Sequence, residues 1–208
     1  MKVSQINGVF IGSSIRKLSL AIYLIDDYTS RGVIGNLDVS IKDHNVKSII
    51  NPDGYYLFFD LPDDNYTVQI KGGEYYFDEE RKAVKPDNLD ELNPVVDIVL
   101  KPAPSYHFPS TATLIRGHLE DSCGGGIPGA VLRIKGRDTL TRTNDKGEFV
   151  IYLKWVKKND IVTVNKKMLV KINGKNPVLE IKHPDHKNFT KTVEVQEGTT
   201  TSLSLTHQ

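Results

Sequence analysis

The side chains that could carry out catalysis or bind a metal are few in this chain, and their spacing favours neither role. His183 and His186 lie three positions apart, but Pro184 between them disfavours the helix on which such a pair would bind zinc. Three pairs of adjacent carboxylates lack the alternating spacing and the glycine of a calcium-binding loop. These pairs are Asp26 and Asp27, Asp63 and Asp64, and Glu79 and Glu80. We therefore predict no catalytic residue, no metal site and no cofactor.

The chain has one cysteine, Cys123, and three glycines follow it. A single cysteine excludes an intramolecular disulfide, and with it the class of small secreted folds that disulfides hold together. No histidine or basic residue adjoins Cys123, so we interpret it as an exposed loop thiol, with a reactive or intermolecular thiol as the alternative. Because neither Lys-Ser nor Lys-Thr follows the glycines, residues 124–126 do not have the pattern of a phosphate-binding loop.

Aromatic and basic residues give the candidate contacts for a partner, because such side chains anchor protein partners and stack on sugars when they are exposed. The candidates are Tyr75, Tyr76, Trp155, Lys157 and Lys158. As candidate contacts they would bind a protein, with carbohydrate as the alternative ligand. Packing inside the fold is the leading interpretation of the two tyrosines, and a solvated face is the leading interpretation of the lysines.

Charge and hydropathy exclude several classes of protein. The 208 residues contain 27 Lys and Arg against 26 Asp and Glu, a net charge of +1, which disfavours a surface for nucleic acid or anionic membranes. No apolar run reaches the roughly 18–20 residues of a membrane span, so we expect no membrane insertion. The first residues lack the order of a signal peptide. We expect a cytoplasmic protein, or an extracytoplasmic one if Met1 begins a cloned mature chain.

The elements that must position these residues have the periodicity of strands. Tyr66, Val68 and Ile70 alternate with polar residues, and such alternation places one face of a strand in a core. Residues 55–61 and 149–153 are instead apolar on both faces. These two segments are either covered on both sides or meet a partner with their outer face.

The chain contains an internal repeat. A shift of 93 residues aligns Ile22 with Ile115 and Tyr56 with Phe149 without a gap. It also aligns two turns with the residue types of type I turns, and these consist of Asn51, Pro52, Asp53, Gly54 and of Asn144, Asp145, Lys146, Gly147. We predict a first β-sandwich at 18–103 and a second at 111–208, with an insertion near 155–176. Residues 104–110 form a proline-rich linker, and residues 1–17 are an N-terminal extension or edge strand.

The repeated segments resemble a known family. The stretch Gly54-x-Tyr56-x-Phe58-x-x-Leu61-Pro62, followed by Tyr66-x-Val68-x-Ile70, resembles the signature of carboxypeptidase regulatory-like domains, also called transthyretin-like or prealbumin-like and related to Cna-B repeats. The second copy resembles it through Gly117-x-Leu119-x-Asp121, Ile127-Pro128-Gly129-Ala130-x-Leu132 and Asn144-Asp145-x-Gly147-x-Phe149-x-Ile151. The matches cover most of residues 18–206, but Asp64 stands where the family has glycine, and the second copy lacks the Leu-Pro-x-Gly-x-Tyr element.

The resemblance implies an all-β protein made of two tandem Greek-key β-sandwiches of prealbumin-like type. Members of this family are accessory, adhesive, spacer or assembly modules without catalysis. Our leading hypothesis is a non-enzymatic structural or protein-interaction module, a spacer or assembly component of a larger complex. Coplanar exposed aromatics in one groove would favour a carbohydrate-binding module instead. A deep pocket that gathers His118, Asp121 or the pair His183 and His186 would favour an enzyme.

Overall fold

The fold is described by a computed structural model that covers residues 16–42, 44 and 46–207. Within these residues the chain forms strands throughout, with two short 3₁₀ helices at Pro86–Asn88 and Lys158–Asp160. The predicted all-β class is confirmed. The predicted extension at residues 1–17 lies outside the described residues except for Arg16 and Lys17.

The strands divide between an N-terminal half and a C-terminal half of the chain. The strands of the N-terminal half are β1 (Leu18–Asp26), β2 (Asp38–Ile41), β3 (Ile49–Ile50), β4 (Tyr55–Phe59), β5 (Tyr66–Lys71), β6 (Glu79–Val84) and β7 (Val95–Leu100). The strands of the C-terminal half are β8 (Leu114–Glu120), β9 (Val131–Ile134), β10 (Leu140–Arg142), β11 (Glu148–Tyr152), β12 (Ile161–Val164), β13 (Lys167–Val170), β14 (Val178–His183), β15 (His186–Thr192), β16 (Val195–Gln196) and β17 (Thr200–Thr206).

Two sheets face each other across one core in the N-terminal half. The first has the strand order β3-β4-β1-β7, and the second has the order β2-β5-β6. Strand β7 runs parallel to β1, and the other neighbours are antiparallel. Tyr66, Val68 and Ile70 of β5 are at most 2% exposed and pack in one cluster with Leu20 and Ile22 of the facing sheet. The alternation read from the sequence therefore points these side chains into the core.

The C-terminal half repeats this arrangement. One sheet has the order β11-β8-β17, with β17 parallel to β8, and the facing sheet has the order β10-β9-β14-β15. Ile115 and Phe149 from the first sheet share a core with Leu132 and Leu179 from the second. A third sheet, β12-β13-β16, has no counterpart among the described residues of the N-terminal half. The main cores of the two halves have no residue in common.

In the first strand of the repeat, the structure matches the residues of the two halves at a different shift from the sequence alignment. The uniform shift of 93 residues aligns Ile22 with Ile115. In the structure Ile22 pairs with Tyr56, whereas Phe149, the counterpart of Tyr56, pairs with Gly117. Ile22 thus corresponds to Gly117, and the ungapped alignment is wrong in this strand. The cause is a longer loop after β1 than after β8, a difference that hydrophobic spacing does not reveal.

The return strand of the second copy is also offset, by one residue. Beyond the insertion near 155–176, where the shift of 93 residues no longer holds, the sequence pattern matches Tyr66-x-Val68 with Val178-x-Glu180 and so Val68 with Glu180. In the structure Leu179 and Ile181 are the buried residues of β14, and the Glu180 carboxylate binds the Arg133 guanidinium at 2.5 Å. Because side chains alternate between the faces of a strand, the register of the sequence alignment would have placed the Glu180 carboxylate in the core. Leu179 is therefore the true counterpart of Val68.

Strand β11 is apolar on both faces because both faces are covered by the chain itself. Phe149 and Ile151 lie in the core of the C-terminal half. Val150 and Tyr152 point the opposite way and pack with Phe108, which precedes β8. Of the two explanations that the sequence left open for this segment, coverage on both sides is correct.

Strand β4, the counterpart of β11, is covered on one face only. Tyr56 and Phe58 are buried in the core, while Tyr55, Leu57 and Phe59 on the opposite face are half-buried. The outer face of β4 thus retains accessible apolar surface, whereas the corresponding face of β11 is buried.

The insertion near 155–176 contains a hairpin of β12 and β13. Asn165 and Lys166 join these strands with φ angles of 49° and 66°, the conformation that matches a two-residue turn to strand twist. The sequence also predicts a hairpin at Asn173 and Gly174, and the structure has a turn there, closed by two hydrogen bonds between Ile172 and Lys175. It does not make a hairpin of the flanking strands, because β13 pairs with β12 and β16 whereas β14 pairs with β9 and β15.

The turns before β4 and β11 are built alike. The side-chain oxygens of Asn51 and Asn144 accept the backbone N–H of Tyr55 at 2.8 Å and of Glu148 at 2.9 Å. Gly54 and Gly147 have φ of +85° and +78°, a region that glycine enters at little cost. The other turn residues, Pro52, Asp53, Asp145 and Lys146, are exposed.

The two turn glycines differ in their surroundings, which gives a matched test. A Cβ on Gly147 would lie 2.3 Å from the Leu119 carbonyl oxygen, whereas a Cβ on Gly54 would meet nothing within 4 Å. We expect Gly54→Ala to lower the free energy of unfolding by about 1–2 kcal/mol, the cost of the backbone conformation alone. Gly147→Ala should cost about 3 kcal/mol or more, because crowding adds to it. Urea denaturation followed by circular dichroism measures both, and equal losses would contradict this account.

Candidate functional site

A cluster of carboxylates and aromatic rings joins the two halves of the protein. We call it the junction cluster, and it consists of Asp26, Asp27, Tyr28, Tyr76, Lys101, Tyr106, Phe108, Tyr152 and Lys154. Its members come from the loop after β1, the segment after β5, the end of β7 and the following linker, and the end of β11.

Asp26 is the fully buried carboxylate of the cluster, with no exposed surface. One of its oxygens accepts the backbone N–H groups of Tyr28 at 2.7 Å and Thr29 at 3.1 Å. The other oxygen accepts the hydroxyls of Tyr76 at 2.9 Å and Tyr106 at 2.5 Å. Four donors compensate for the lost hydration of this carboxylate, so the group binds three segments of chain to one point.

Asp27 links the N-terminal half directly to the C-terminal half. Its carboxylate accepts a hydrogen bond from the Lys101 ammonium at 2.7 Å and another from the Tyr152 hydroxyl of β11. Lys154 donates to the Asp27 backbone carbonyl, and at 2.8 Å to the hydroxyl of Ser30. The loop after β1 is thereby fastened to the end of β11.

The protonation states in the cluster follow from its burial. Desolvation acts to raise the pKa of Asp27, but the bonds from Lys101 and Tyr152 and the nearby ammonium charges outweigh it, so the pKa is lowered. Burial raises the pKa of Tyr76 to about 12. Burial, together with the adjacent carboxylates, also raises the pKa of Tyr106 and Tyr152. The tyrosines therefore remain protonated donors at neutral pH.

Aromatic and apolar contacts complete the junction. The ring of Tyr28 meets Phe108 edge-on at a centroid distance of 4.9 Å and Tyr152 at 5.6 Å. Val150 and Leu114 lie beneath these rings at 0% and 4% exposure. Edge-to-face ring pairs at such distances stabilise a contact beyond the apolar area that they bury.

This arrangement connects the two halves, and its polar groups are bonded to one another. The oxygens of Asp26 are already occupied by donors, and the hydroxyls of Tyr76, Tyr106 and Tyr152 are bonded to carboxylates. Two open clefts flank the junction, of about 540 Å³ beside Tyr76 and Arg142 and about 290 Å³ beside Lys101 and Trp155.

The predicted contact residues do not come together in one groove. Tyr76 is 2% exposed and its hydroxyl binds Asp26, so its burial excludes it as a surface for a glycan or a protein. Tyr75 is half-buried, with its ring 5.1 Å from His107. Trp155 is 77% exposed and lines a different cleft from Tyr76. The arrangement of coplanar aromatics that would favour a carbohydrate-binding module is therefore not formed by these residues.

Lys157 and Lys158 are exposed, and neither forms an ion pair with a residue that the structure describes. They lie at the start of the inserted hairpin, beside β12. Sequence reasoning missed Tyr106, Asp26 and Asp27 as functional residues. The one sequence signal for them was the aromatic pair Tyr106 and Phe108 in the proline-rich linker. A linker that only separates two domains would have polar residues at these positions.

His183, His186 and Cys123 are not members of the junction cluster. His183 and His186 flank the turn between β14 and β15, with ring centroids 4.7 Å apart, and His207 meets His186 edge-on at a centroid distance of 4.8 Å. Within the described part of the chain, no group of three or more His, Cys, Asp or Glu residues could hold a metal ion. Cys123 is exposed, and its backbone N–H donates to Asp121 at 2.8 Å.

Comparison with known proteins gives only remote structural similarity. No protein-family model matches the sequence, and no curated protein matches it. The Bacillus anthracis TIE protein is similar over 91% of this chain, with 11% identity and a TM-score of 0.30. A streptococcal ancillary pilin is similar over 95%, with 11% identity and a TM-score of 0.29, and the shaft pilin SpaA of Lactobacillus rhamnosus GG over 93%, with 8% identity and a TM-score of 0.26.

The chain spans 34%, 64% and 98% of the lengths of these three structures, respectively. Because the TM-scores are at most 0.30, the similarities carry no conclusion about function. Across residues 16–42, 44 and 46–207, no helix has both the length and the apolar character that crossing a bilayer requires. The expected cellular location remains a prediction.

The lowered pKa of Asp27 gives a test in acid. A carboxyl whose pKa is lowered on folding adds stability above its unfolded pKa of about 3.9, and that stability is lost as the pH falls through the folded pKa. We expect Asp27→Asn to lower the free energy of unfolding by about 1–3 kcal/mol at pH 6. The difference from wild type should shrink as the pH falls below 4, because the wild type then loses its carboxylate. Thermal unfolding from pH 6 to pH 3 measures this.

The exposed Asp53 provides the control for this experiment. Asp53→Asn should change the stability little at pH 6, because its side chain has no bond at the junction. A difference between Asp27→Asn and wild type that stays constant down to pH 3 would contradict the proposed role of the Asp27 carboxylate.

Proposed function

We propose that the protein is a non-catalytic structural and protein-interaction module, a spacer or assembly component built from two tandem β-sandwiches at 18–103 and 111–208. The short segment 104–110 joins them as a linker that is packed rather than free. In this proposal both sandwiches are copies of one carboxypeptidase regulatory-like module. The support is their common strand arrangement and the matching turns at Asn51 and Asn144.

The junction cluster is the observation that carries the proposal. Asp27 makes bonds to Lys101 and to Tyr152, one from each half, and Val150 is fully buried beneath the rings of the junction. A flexible tether would leave such groups solvated, whereas here separation of the halves would take the Tyr152 hydroxyl from Asp27 and the Tyr152 ring from Tyr28 and Phe108. A stiff pair of domains transmits position and orientation between partners at its two ends, which is what a spacer does.

A partner would bind at loop tips, sheet edges or the inserted hairpin. The outer face of β3 and β4 and the hairpin of β12 and β13 retain exposed apolar side chains, including Ile49 at 53% and Met168 at 50% exposure. Apolar surface of this kind marks interaction sites when it is contiguous. The basic residues Lys157 and Lys158 lie beside the hairpin and would favour an acidic partner.

Stiffness between the halves is directly measurable. Backbone ¹⁵N relaxation should give one shared rotational correlation time for the two halves of the wild-type protein. The double variant Tyr28→Ala with Tyr152→Ala removes the rings and the hydroxyl that connect the halves, so each half should then tumble faster and with its own correlation time. Tyr23→Ala is the matched control, because Tyr23 packs against Tyr55 on the outer face of the N-terminal half. Independent tumbling of the wild-type halves would refute the spacer function.

A further inference from the structure

Strand β12 leaves its outer side open. It lies at the edge of the sheet β12-β13-β16 and pairs only with β13. Its four residues are Ile161, Val162, Thr163 and Val164, and both valines are 42% exposed. In the described part of the chain, no backbone hydrogen bond from another segment reaches the outer side of Val162, Thr163 or Val164. Exposed edges of β-branched residues readily pair with another strand.

The other long edge strands have features that discourage such pairing. Strand β6 carries four charged residues, Glu79, Glu80, Arg81 and Lys82. Strand β7 has Asp97 at its centre, and β15 has Lys187 and Lys191. Strand β17 is uncharged but exposes threonine and serine, and its leucines are buried or half-buried. Among the described edge strands of four or more residues, β12 therefore differs in exposing apolar side chains with no charge among them.

The turn after β12 determines which backbone groups face outward. In a two-residue hairpin the residues flanking the turn, here Val164 and Lys167, form a hydrogen-bonded pair, so Val164 and Val162 direct their N–H and C=O groups to β13. Thr163 lies between them and directs both groups to the open side. Ile161 also faces outward, but its N–H already donates to the Lys158 carbonyl. Thr163 is thus the residue through which an added strand would form its central hydrogen bonds.

Positive charge surrounds this edge. Lys157 and Lys158 precede β12, and Lys166 and Lys167 follow it; all four are exposed and form no ion pair with a described residue. Asp160, the acidic residue next to the strand, is paired with Arg137. If two copies of this chain paired their β12 strands antiparallel over all four residues, Lys157 and Lys158 before the strand of one copy would lie close to Lys166 in the turn of the other. Like charges that face each other across strands are destabilising, which disfavours a second copy as the occupant.

We propose that β12 binds an extended segment of a protein partner as an additional strand, and that this segment has alternating apolar residues at its centre and acidic residues at both ends. The backbone groups of Thr163 supply affinity, Val162 and Val164 supply apolar contacts, and the lysines select the acidic ends. The inference deepens the proposed interaction function and rests on it.

The test uses the full chain and a defined probe. The probe is a fluorescein-labelled peptide of eight residues in which valine and threonine alternate at the four central positions, with two acidic residues at each end. Its binding to wild type is measured by fluorescence anisotropy, and its site is mapped by amide chemical shifts. We expect shifts at Ile161–Val164 and in the adjacent lysines. The same peptide with lysines at both ends should bind at least tenfold more weakly.

Two substitutions at one position separate backbone pairing from other effects. Thr163→Pro removes the outward N–H without removing a bond of the hairpin, because this N–H faces away from β13. It should weaken binding of the acidic peptide at least tenfold. Thr163→Val keeps the N–H and should bind within twofold of wild type. Circular dichroism and the amide spectrum verify that both variants fold.

Each of the following outcomes would overturn the inference. No peptide binding, equal binding to Thr163→Pro, or shifts confined to another edge would exclude β12 as the docking strand. A dimer in sedimentation that Thr163→Pro abolishes would identify a second copy as the occupant instead of a partner. These failures leave the shared correlation time of the two halves unchanged, so they are distinguishable from failure of the spacer function.

Discussion

The burial of the Asp26 carboxylate is the constraint on which the rest of the structure depends. A carboxylate without exposed surface is tolerated only where hydrogen bonds replace its water. Its donors come from its own loop and from Tyr76 and Tyr106, which lie 50 and 80 positions further along the chain. The loop, the segment after β5 and the linker must therefore meet at this carboxylate. That meeting places Asp27 where it can reach the C-terminal half.

The second half shows that the loop alone does not build such a junction. Asp121 occupies the place of Asp26. Its carboxylate likewise accepts backbone N–H groups from the loop that follows it, from Cys123 at 2.8 Å and from Gly125 at 2.9 Å. These backbone bonds lower the pKa of Asp121. Asp121 is however not fully buried, and Cys123 stands where the first half has Tyr28. The turn geometry is thus a local property that both copies share, whereas the coupling of halves comes from the aromatic residues added around only one copy.

The sequence predicts local features well and long-range contacts poorly, for physical reasons. Alternation places Val68 and Ile70 in a core because a strand has two faces, and this holds whatever the strand packs against. The offset of β8 could not be predicted, because loop length is free to vary without changing the apolar pattern. Packing was the favoured interpretation of Tyr76, but its partner could not be predicted, since that partner is a carboxylate 50 positions away. Burial of this kind becomes visible only once the chain is folded.

Stiffness and an open edge strengthen each other as properties of a binding module. A partner that adds a strand to a preformed edge does not have to order that edge, and a partner of a stiff pair of domains does not have to fix their relative orientation. Both conditions lower the entropic cost of assembly. In the proposed interaction, the positive charge of the lysines around β12 has two effects. It opposes pairing between copies of this chain, and it attracts an acidic segment. Selectivity at this edge therefore needs no deep pocket, which agrees with the shallow, open clefts of the protein.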